Sequence, residues 1–78
     1  GGWISIQIKG KTSKSIFEKL ISVNLEEFVQ GKVIRVSINK INCFVLCERQ
    51  FYKYIITCPI SYYENMKSRL VSLAELIN

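Results

Sequence analysis

The chain has 78 residues, of which 49% are hydrophobic, and 11 Lys and Arg against six acidic residues give it a net charge of +5. A chain of this length forms one domain and buries only about 60% of the surface that its unfolded form exposes, so we expect a partner subunit to cover part of its apolar area. The sequence contains no His and no Asp, which removes the commonest general base and metal ligand and argues against an enzyme. We assign residues 3–78 to a single domain and interpret Gly1 and Gly2 as an expression remnant.

The first predicted elements are a strand and a helix. Isoleucine alternates with polar residues over residues 4–9, which is the period-two pattern of a strand with one buried face. Thr12 or Ser13 then predicts a helix start, because a hydroxyl accepts from the free amides of the first turn. Apolar residues follow at helical spacing: Ile16, Phe17, Leu20, Ile21, Leu25, Phe28 and Val29. The pattern allows one helix that ends at Gly31 or a shorter one interrupted at residues 22–24.

The middle of the chain predicts an antiparallel meander. Residues 33–38 alternate again between apolar and polar side chains, and residues 39–42 are typical of a turn. The segments 43–47 and 51–58 are rich in β-branched and aromatic residues and flank a short polar segment, so we expect further strands there. Pro59 ends the last of them.

The final predicted element is a helix with a wide apolar surface. Ser61 and Glu64 have the spacing of a capping box, in which each side chain accepts from the other residue's backbone amide. The apolar surface exceeds what one small sheet needs, which predicts contact with a partner; alternatively, the terminal residues remain exposed. The residues of this predicted interface are Tyr62, Met66, Leu70, Val71, Leu73, Leu76 and Ile77.

These elements predict an α+β fold in the order β-α-β-β-β-α, with a three- or four-stranded antiparallel sheet. Each helix has a single apolar stripe, and the sheet has one strongly aliphatic face. Both helices are therefore expected to cover the same face of the sheet.

The cysteines, Cys43, Cys47 and Cys58, are interpreted as buried free thiols in a reducing compartment. On a strand, Cys43 and Cys47 lie about 13 Å apart on one face, too far for one tetrahedral metal ion. Without His, nothing activates a Cys nucleophile in the usual way. Since no apolar run approaches the length of a bilayer span, we expect a cytoplasmic protein with no metal, no cofactor and no membrane contact.

Aromatic and basic residues alternate within residues 51–54, which favours contact with nucleic acid. Such a strand can provide rings on which bases stack and cations that neutralise phosphates. The predicted residues are Trp3, Lys9, Arg35, Lys53 and Tyr54. The alternative, which the sequence favours over direct nucleic-acid contact, is that half of the aromatic strand is core and the other half lines a protein interface.

Four segments carry a resemblance to a known family: the strand at 4–8, the helix with Phe17 that ends near residues 22–24, the strand at 33–38 and the closing helix at 66–77. Their layout resembles the Pcc-type small subunit of KEOPS, the complex that makes the threonylcarbamoyl modification of adenosine 37 in tRNAs. The resemblance implies a non-catalytic subunit that dimerises through its sheet and helices, presents a helical face to a catalytic subunit and adds positive charge for tRNA. A fourth strand would depart from the family's usual three and indicates a diverged paralogue.

Three functions follow as hypotheses, and none of them is enzymatic. The first is a homo- or heterodimeric interaction subunit that supports assembly of, and tRNA binding by, a tRNA-modifying complex. The second is a stand-alone basic nucleic-acid-binding domain, whose affinity should fall steeply with salt. The third is a viral or mobile-element inhibitor that binds a host protein.

Overall fold

The protein is described by a computed structural model that covers residues 1–77; the side chain of Ile77 and all of Asn78 lie outside the described part. Over these residues the chain has the α+β fold and the element order that the sequence predicts. The elements are β1 (Trp3–Lys9), α1 (Ser13–Leu20), β2 (Val33–Ile38), β3 (Ile41–Arg49), β4 (Lys53–Pro59), a 3-10 turn (Ile60–Tyr62) and α2 (Tyr63–Ile77).

The strands form one antiparallel sheet in the order β1-β4-β3-β2. The meander β2-β3-β4 pairs each strand with the next, and β1 adds to β4, so β1 and β2 are the two edges. Because side chains alternate between faces, every other residue points toward the helices. The residues of this inner face are Ile4, Ile6, Ile8, Ile34, Val36, Ile38, Cys43, Val45, Cys47, Tyr54, Ile56 and Cys58.

Both helices cover the inner face, as predicted, and the core lies between them and the sheet. Phe17 of α1 is fully buried, and its ring centroid lies 4.4 Å from that of Tyr54. Phe28, from the loop after α1, lies 5.7 Å from the same ring. Met66 and Leu73 of α2 belong to the same buried cluster. Each buried aromatic pair contributes about 0.5–1.5 kcal/mol beyond the area that it removes from water.

Helix α1 ends at Leu20, so the shorter of the two predicted helices is the correct one. Ile21 is extended, with φ −134° and ψ 153°. Beyond it, the Asn24 side-chain oxygen accepts from the Glu26 N–H at 3.0 Å, and the Asn24 carbonyl accepts from the Glu27 N–H at 3.1 Å. An Asn side chain that binds nearby backbone competes with helix formation, and here a turn replaces the helix.

Gly31 has a role that differs from the prediction. Gly31 has φ +90° and donates its N–H to the Cys47 carbonyl at 2.7 Å, so it leads into β2 rather than ending α1. A positive φ of this kind suits glycine because it has no Cβ. The Gly2 carbonyl, one residue before β1, accepts from the Ile60 N–H at 2.8 Å.

The β2–β3 turn is shorter than predicted. Only Asn39 and Lys40 form it, with φ values of 52° and 67°, and β3 begins directly at Ile41. Two central residues with positive φ are the geometry that matches the twist of a tight hairpin. The predicted turn at residues 39–42 was therefore two residues too long.

The bounds of β3, β4 and α2 also differ from the sequence prediction. Strand β4 begins at Lys53 rather than at residue 51, and it ends at Pro59 as predicted. Strand β3 continues to Arg49, because an irregularity between Cys47 and Arg49 lets it keep pairing with β4 through the polar segment. Helix α2 begins at Tyr63, since residues 60–62 form the 3-10 turn, so Ser61 is not its N-cap. No helix in the described part is long and apolar enough to cross a membrane.

Candidate binding surfaces

The outer face of the sheet, opposite the helices, carries four of the five residues predicted to contact nucleic acid. Trp3 is 57% exposed and Phe44 is 41% exposed, and within residues 1–77 both helices pack on the other side of the sheet. The outer face includes Trp3, Ser5, Gln7, Lys9, Val33, Arg35, Ser37, Phe44, Leu46, Arg49, Lys53, Ile55 and Thr57.

One end of the outer face is aromatic. The Trp3 and Phe44 rings have centroids 5.7 Å apart and are tilted by 56°. Arg35 is the cross-strand neighbour of Phe44 and is exposed. Beside the rings, the Ser5 hydroxyl of β1 and the Thr57 hydroxyl of β4 form a hydrogen bond of 2.8 Å. Exposed rings beside a guanidinium offer both a stacking surface and a charge.

The other end of the outer face is basic. Lys9 pairs with Lys53 across β1 and β4, and Arg49 pairs with Lys53 across β3 and β4, so three cations lie side by side in what we call the basic row. Glu48 is the one carboxylate there, and its Oε1 accepts from the Lys53 Nζ at 3.0 Å. The Arg49 guanidinium lies 5.0 Å from the centroid of the Tyr52 ring. Like charges on neighbouring strands repel, and an anion bound between them would relieve that repulsion.

Charge is divided unequally between the two sides of the molecule. The strands carry four basic residues, Lys9, Arg35, Arg49 and Lys53, and a single acidic one, Glu48. The helices and the loop after α1 carry five basic and five acidic residues, and the other two lysines, Lys11 and Lys40, lie in the loops that follow β1 and β2. The net charge of +5 is therefore concentrated on the sheet and its loops, which favours an anionic partner on that side.

Tyr54 does not belong to this surface, so the prediction was wrong for that residue. Its side chain is 0% exposed, faces Phe17, and its hydroxyl accepts from the Phe51 N–H at 2.9 Å. Burial raises the pKa of the Tyr54 hydroxyl. Lys53 and Tyr54 are consecutive residues of one strand and must face opposite sides. The sequence prediction did not include Phe44 and Arg49 among the outer-face residues. Phe44 could have been found, because it lies between Cys43 and Val45, and alternation along a strand places it on the face opposite to theirs.

The predicted α2 interface divides into a buried and an exposed part. Met66 is 3% exposed, and Leu73 is also buried; both contact the core, which excludes them from a partner surface. Leu70 is half-buried. Positions 66, 70 and 73 fall on one helical stripe, and that stripe packs on the sheet. The exposed members are Tyr62, Val71 and Leu76, and the Ile77 side chain lies outside the described residues.

A groove runs beside the open edge of β1. It lies between that strand, the start of α1 and the middle of α2. Apolar side chains supply most of its lining, with the aliphatic part of Lys67 at one side. The apolar residues that line it are Ile6, Ile8, Ile16, Leu70, Val71 and Ala74.

The cysteines are buried on the inner face, as predicted. Burial raises the pKa of the thiols of Cys43, Cys47 and Cys58 above the ordinary value of 9.0. Neutral, buried thiols are poor nucleophiles. Among the residues that the structure describes, no three His, Cys, Asp or Glu side chains are grouped as a metal site requires.

No protein-family model, curated protein or solved structure matches this chain. The candidate binding surfaces of the described residues are the outer face with its aromatic end and basic row, the exposed side of α2, and the edge of β1.

Proposed function

We propose that this protein is a non-catalytic subunit that binds single-stranded RNA on the outer face of its sheet and supports the assembly of a tRNA-modifying complex. One observation carries the RNA-binding part: the outer face combines two exposed aromatic rings, Trp3 and Phe44, with Arg35 beside them and the basic row beyond. The link to tRNA modification comes from the resemblance to the Pcc-type subunits.

The aromatic end suits bases that are not paired. Stacking of a base on an exposed aromatic ring contributes about 1–3 kcal/mol, and it needs no particular base because each base has a π face. Trp3 and Phe44 are tilted relative to each other and each keeps a large exposed fraction. Both rings therefore remain accessible to an incoming base.

The basic row suits the phosphates of the same strand of RNA. Trp3 and Lys9 lie at opposite ends of β1, a separation of about 20 Å at the usual rise per residue. A few nucleotides span this length, so a strand of RNA whose bases stack at Trp3 reaches Lys9 and Lys53 with its backbone. Neutralising phosphates there releases counterions, which makes the affinity depend on salt.

Charge favours RNA over a protein on this face. The sequence by itself favoured a protein interface, but the fold concentrates cations on the outer face with Glu48 as its one carboxylate. A protein partner on this face would have to cover Arg35 and the basic row, whose cations outnumber the carboxylate beside them. Burying such charges without partners is costly, whereas a polyanion supplies the partners.

The test is a titration of the full chain with a fluorescein-labelled single-stranded oligouridine, followed by anisotropy at several salt concentrations. We expect binding that weakens steeply with salt and a change in Trp fluorescence, since Trp3 is the one Trp of the chain. Trp3→Ala and Phe44→Ala should each weaken binding about tenfold, within the range for lost base stacking. Ser72→Ala, at an exposed position of α2 that belongs to neither predicted surface, is the control and should leave the affinity unchanged.

Two results would contradict RNA binding by the outer face. One is an affinity that does not change with salt, and the other is an affinity that Trp3→Ala and Phe44→Ala leave intact. Binding that persists in both variants but weakens with salt would move the RNA site to the loop lysines.

The assembly role is assigned to the exposed side of α2. Val71 and Leu76 are large apolar residues in contact with solvent, and Leu76 is 78% exposed. Truncation of such residues in an interface costs binding energy without disturbing the core. Co-elution with the catalytic subunit of a threonylcarbamoyl-transferring complex is expected, and Leu76→Glu should abolish it. No co-elution would contradict the assembly role and leave RNA binding standing.

A further inference from the structure

We infer that Cys43 and Cys58 form a redox-active dithiol, which a small-molecule disulfide such as oxidised glutathione converts to a disulfide between β3 and β4. The structure describes the reduced form, in which all three cysteines are free. The inference concerns the inner face of the sheet, so it does not rest on RNA binding. It follows from the register of β3 and β4, from the direction of their backbone groups and from the surroundings of the two thiols.

The two cysteines lie opposite each other on the two central strands of the sheet. In the pairing of β3 with β4, Phe44 is the partner of Thr57. One residue further along, the same register places Cys43 opposite Cys58, and both side chains point to the inner face. Each cysteine also has an aliphatic partner on the edge strand beside it. The thiols are thus the middle pair of a row that crosses all four strands.

The backbone geometry at this pair suits a disulfide. The Tyr52 carbonyl and the Ile60 N–H, which flank β4, form hydrogen bonds of 2.8 Å with glycines at the ends of β1. Backbone groups alternate in direction along a strand, so Cys58 also directs its backbone to β1 and not to Cys43. The two cysteines therefore occupy a non-hydrogen-bonded pair, in which the Cα atoms lie about 4.5 Å apart. A disulfide spans Cα separations of about 4.4–6.8 Å, so the bond can form without a large movement of either strand.

The two thiols also influence each other in the reduced protein. Burial raises the pKa of the Cys43 thiol above 9.0, and the neighbouring Cys58 thiol raises this pKa further. The Cys43 Sγ–H donates to the Ile41 carbonyl at 3.4 Å. Cys47 provides the contrast, because it lies opposite Tyr54 on the same two strands and has no thiol across from it. The fold therefore pairs two of the three cysteines and leaves the third as a built-in control.

Access of an oxidant requires local opening, because Cys43 and Cys58 are both 0% exposed. The start of α2 covers this end of the sheet, since Met66 lines a small cleft together with residues of the β2–β3 hairpin. Among the described side chains of α2, only Met66 and Leu73 are fully in the core. An element held by few buried residues opens at a lower free energy than the rest of the core. Opening of α2 would expose the two thiols together.

The oxidation is a thiol–disulfide exchange in two steps. In the open state, one cysteine thiolate attacks a sulfur of oxidised glutathione, forms a mixed disulfide and releases one glutathione thiolate. The other cysteine thiolate then attacks the protein sulfur of the mixed disulfide, which forms the Cys43–Cys58 bond and releases the second glutathione. Two electrons pass from the cysteines to the glutathione disulfide. The two cysteine protons end on the released glutathione thiols.

The first test measures which disulfide forms at equilibrium in the full chain. The chain is refolded from urea in glutathione buffers of increasing oxidised fraction, so that the reaction reaches equilibrium even if the folded thiols are inaccessible. The remaining thiols are then alkylated, and the products are mapped by proteolysis and mass spectrometry. We expect a Cys43–Cys58 disulfide with Cys47 alkylated, and the same disulfide in Cys47→Ala.

The matched control is Cys58→Ala, which keeps Cys43 and Cys47. These two lie about 13 Å apart along one strand, so this variant should form no intrachain disulfide in the same buffers. Oxidation of the wild type without preference for the Cys43–Cys58 pair would overturn the inference. So would thiols that all stay reduced in oxidised glutathione.

A second measurement shows whether the disulfide belongs to the native fold or only to the unfolded chain. A bond that fits the fold restricts the unfolded chain. For a hairpin loop of this length, its equilibrium constant should be on the order of a hundredfold larger in the folded chain than in urea. The oxidised Cys47→Ala protein should therefore have a higher urea midpoint than its reduced form, and the wild type gives the same comparison if this variant fails to fold. An oxidised form with an equal or lower midpoint would contradict the pairing of Cys43 with Cys58 in the native register.

Discussion

The two faces of the sheet are built from the same four strands, yet they have opposite surroundings. The inner face carries aliphatic residues, the cysteines and Tyr54, and two helices cover it. The outer face carries Trp3 and Phe44 beside arginine and lysine, and it is open to solvent in the described part of the chain. Both faces have aromatic rings, so aromatic content does not distinguish core from binding surface. The neighbours of each ring distinguish the two faces: Phe17 and Phe28 surround Tyr54, whereas Arg35 lies beside Phe44.

The largest expected difference between the faces is in stability. Phe17→Ala removes a fully buried ring that packs on Tyr54, and such a truncation costs about 3–5 kcal/mol. Small domains have about 5–15 kcal/mol in total, so this variant should be largely unfolded at modest urea. Phe44→Ala, the matched change on the outer face, should shift the urea midpoint far less. Equal losses for the two variants would mean that the outer face is also packed.

A smaller loss of stability is expected when the buried hydroxyl of Tyr54 is removed. Tyr54→Phe keeps the buried ring but removes the acceptor of the Phe51 N–H, and an unsatisfied donor costs about 1–3 kcal/mol. We expect the urea midpoint to fall while the affinity for oligouridine stays at the wild-type value, because Tyr54 is absent from the outer face. Loss of RNA affinity in a folded Tyr54→Phe protein would contradict the assignment of the two faces.

The smallest expected effect is a loss of stability at alkaline pH, which the buried thiols of the inner face cause. Burial raises the pKa of the Cys43, Cys47 and Cys58 thiols above 9.0 in the folded protein. The unfolded chain therefore loses these protons first, so stability is complete below about pH 8.5 and falls as the pH rises through the ordinary thiol pKa. Urea midpoints from pH 7 to pH 10 should decline, and the decline should be shallower in Cys58→Ala. A midpoint that rises with pH would contradict buried neutral thiols.

Periodicity predicted much of the fold because a strand or helix with one buried side repeats apolar residues at a fixed spacing. Alternating isoleucines located β1 and β2, and the spacing of Met66, Leu70 and Leu73 located the buried stripe of α2. The same alternation accounts for the outer face, because it places Lys9, Arg35 and Lys53 there, and it places Tyr54, the neighbour of Lys53 on β4, on the inner face.

Boundaries and contacts depended on interactions that are distant in the sequence. The end of α1 follows from the turn at Asn24, which Gln50 reinforces by donating to the Leu25 and Glu26 carbonyls at 3.2 Å. The placement of β1 beside β4 joins the first and last strands, and nothing in the local pattern of either strand specifies the other. The interface predicted on α2 failed for Met66 and Leu73 because an apolar stripe looks the same whether a sheet of the same chain or a partner covers it.

The sequence alone determined the α+β class, the element order, the basic charge and the absence of His and Asp, since all of these depend on composition or on spacing within one element. Tertiary structure decided which aromatic residues are exposed, which cations form a row and which edge of the sheet is open. Those properties arise when β1 pairs with β4 and β4 with β3, because these pairings bring Trp3 to Phe44 and Lys9 to Lys53 across 40 or more intervening residues.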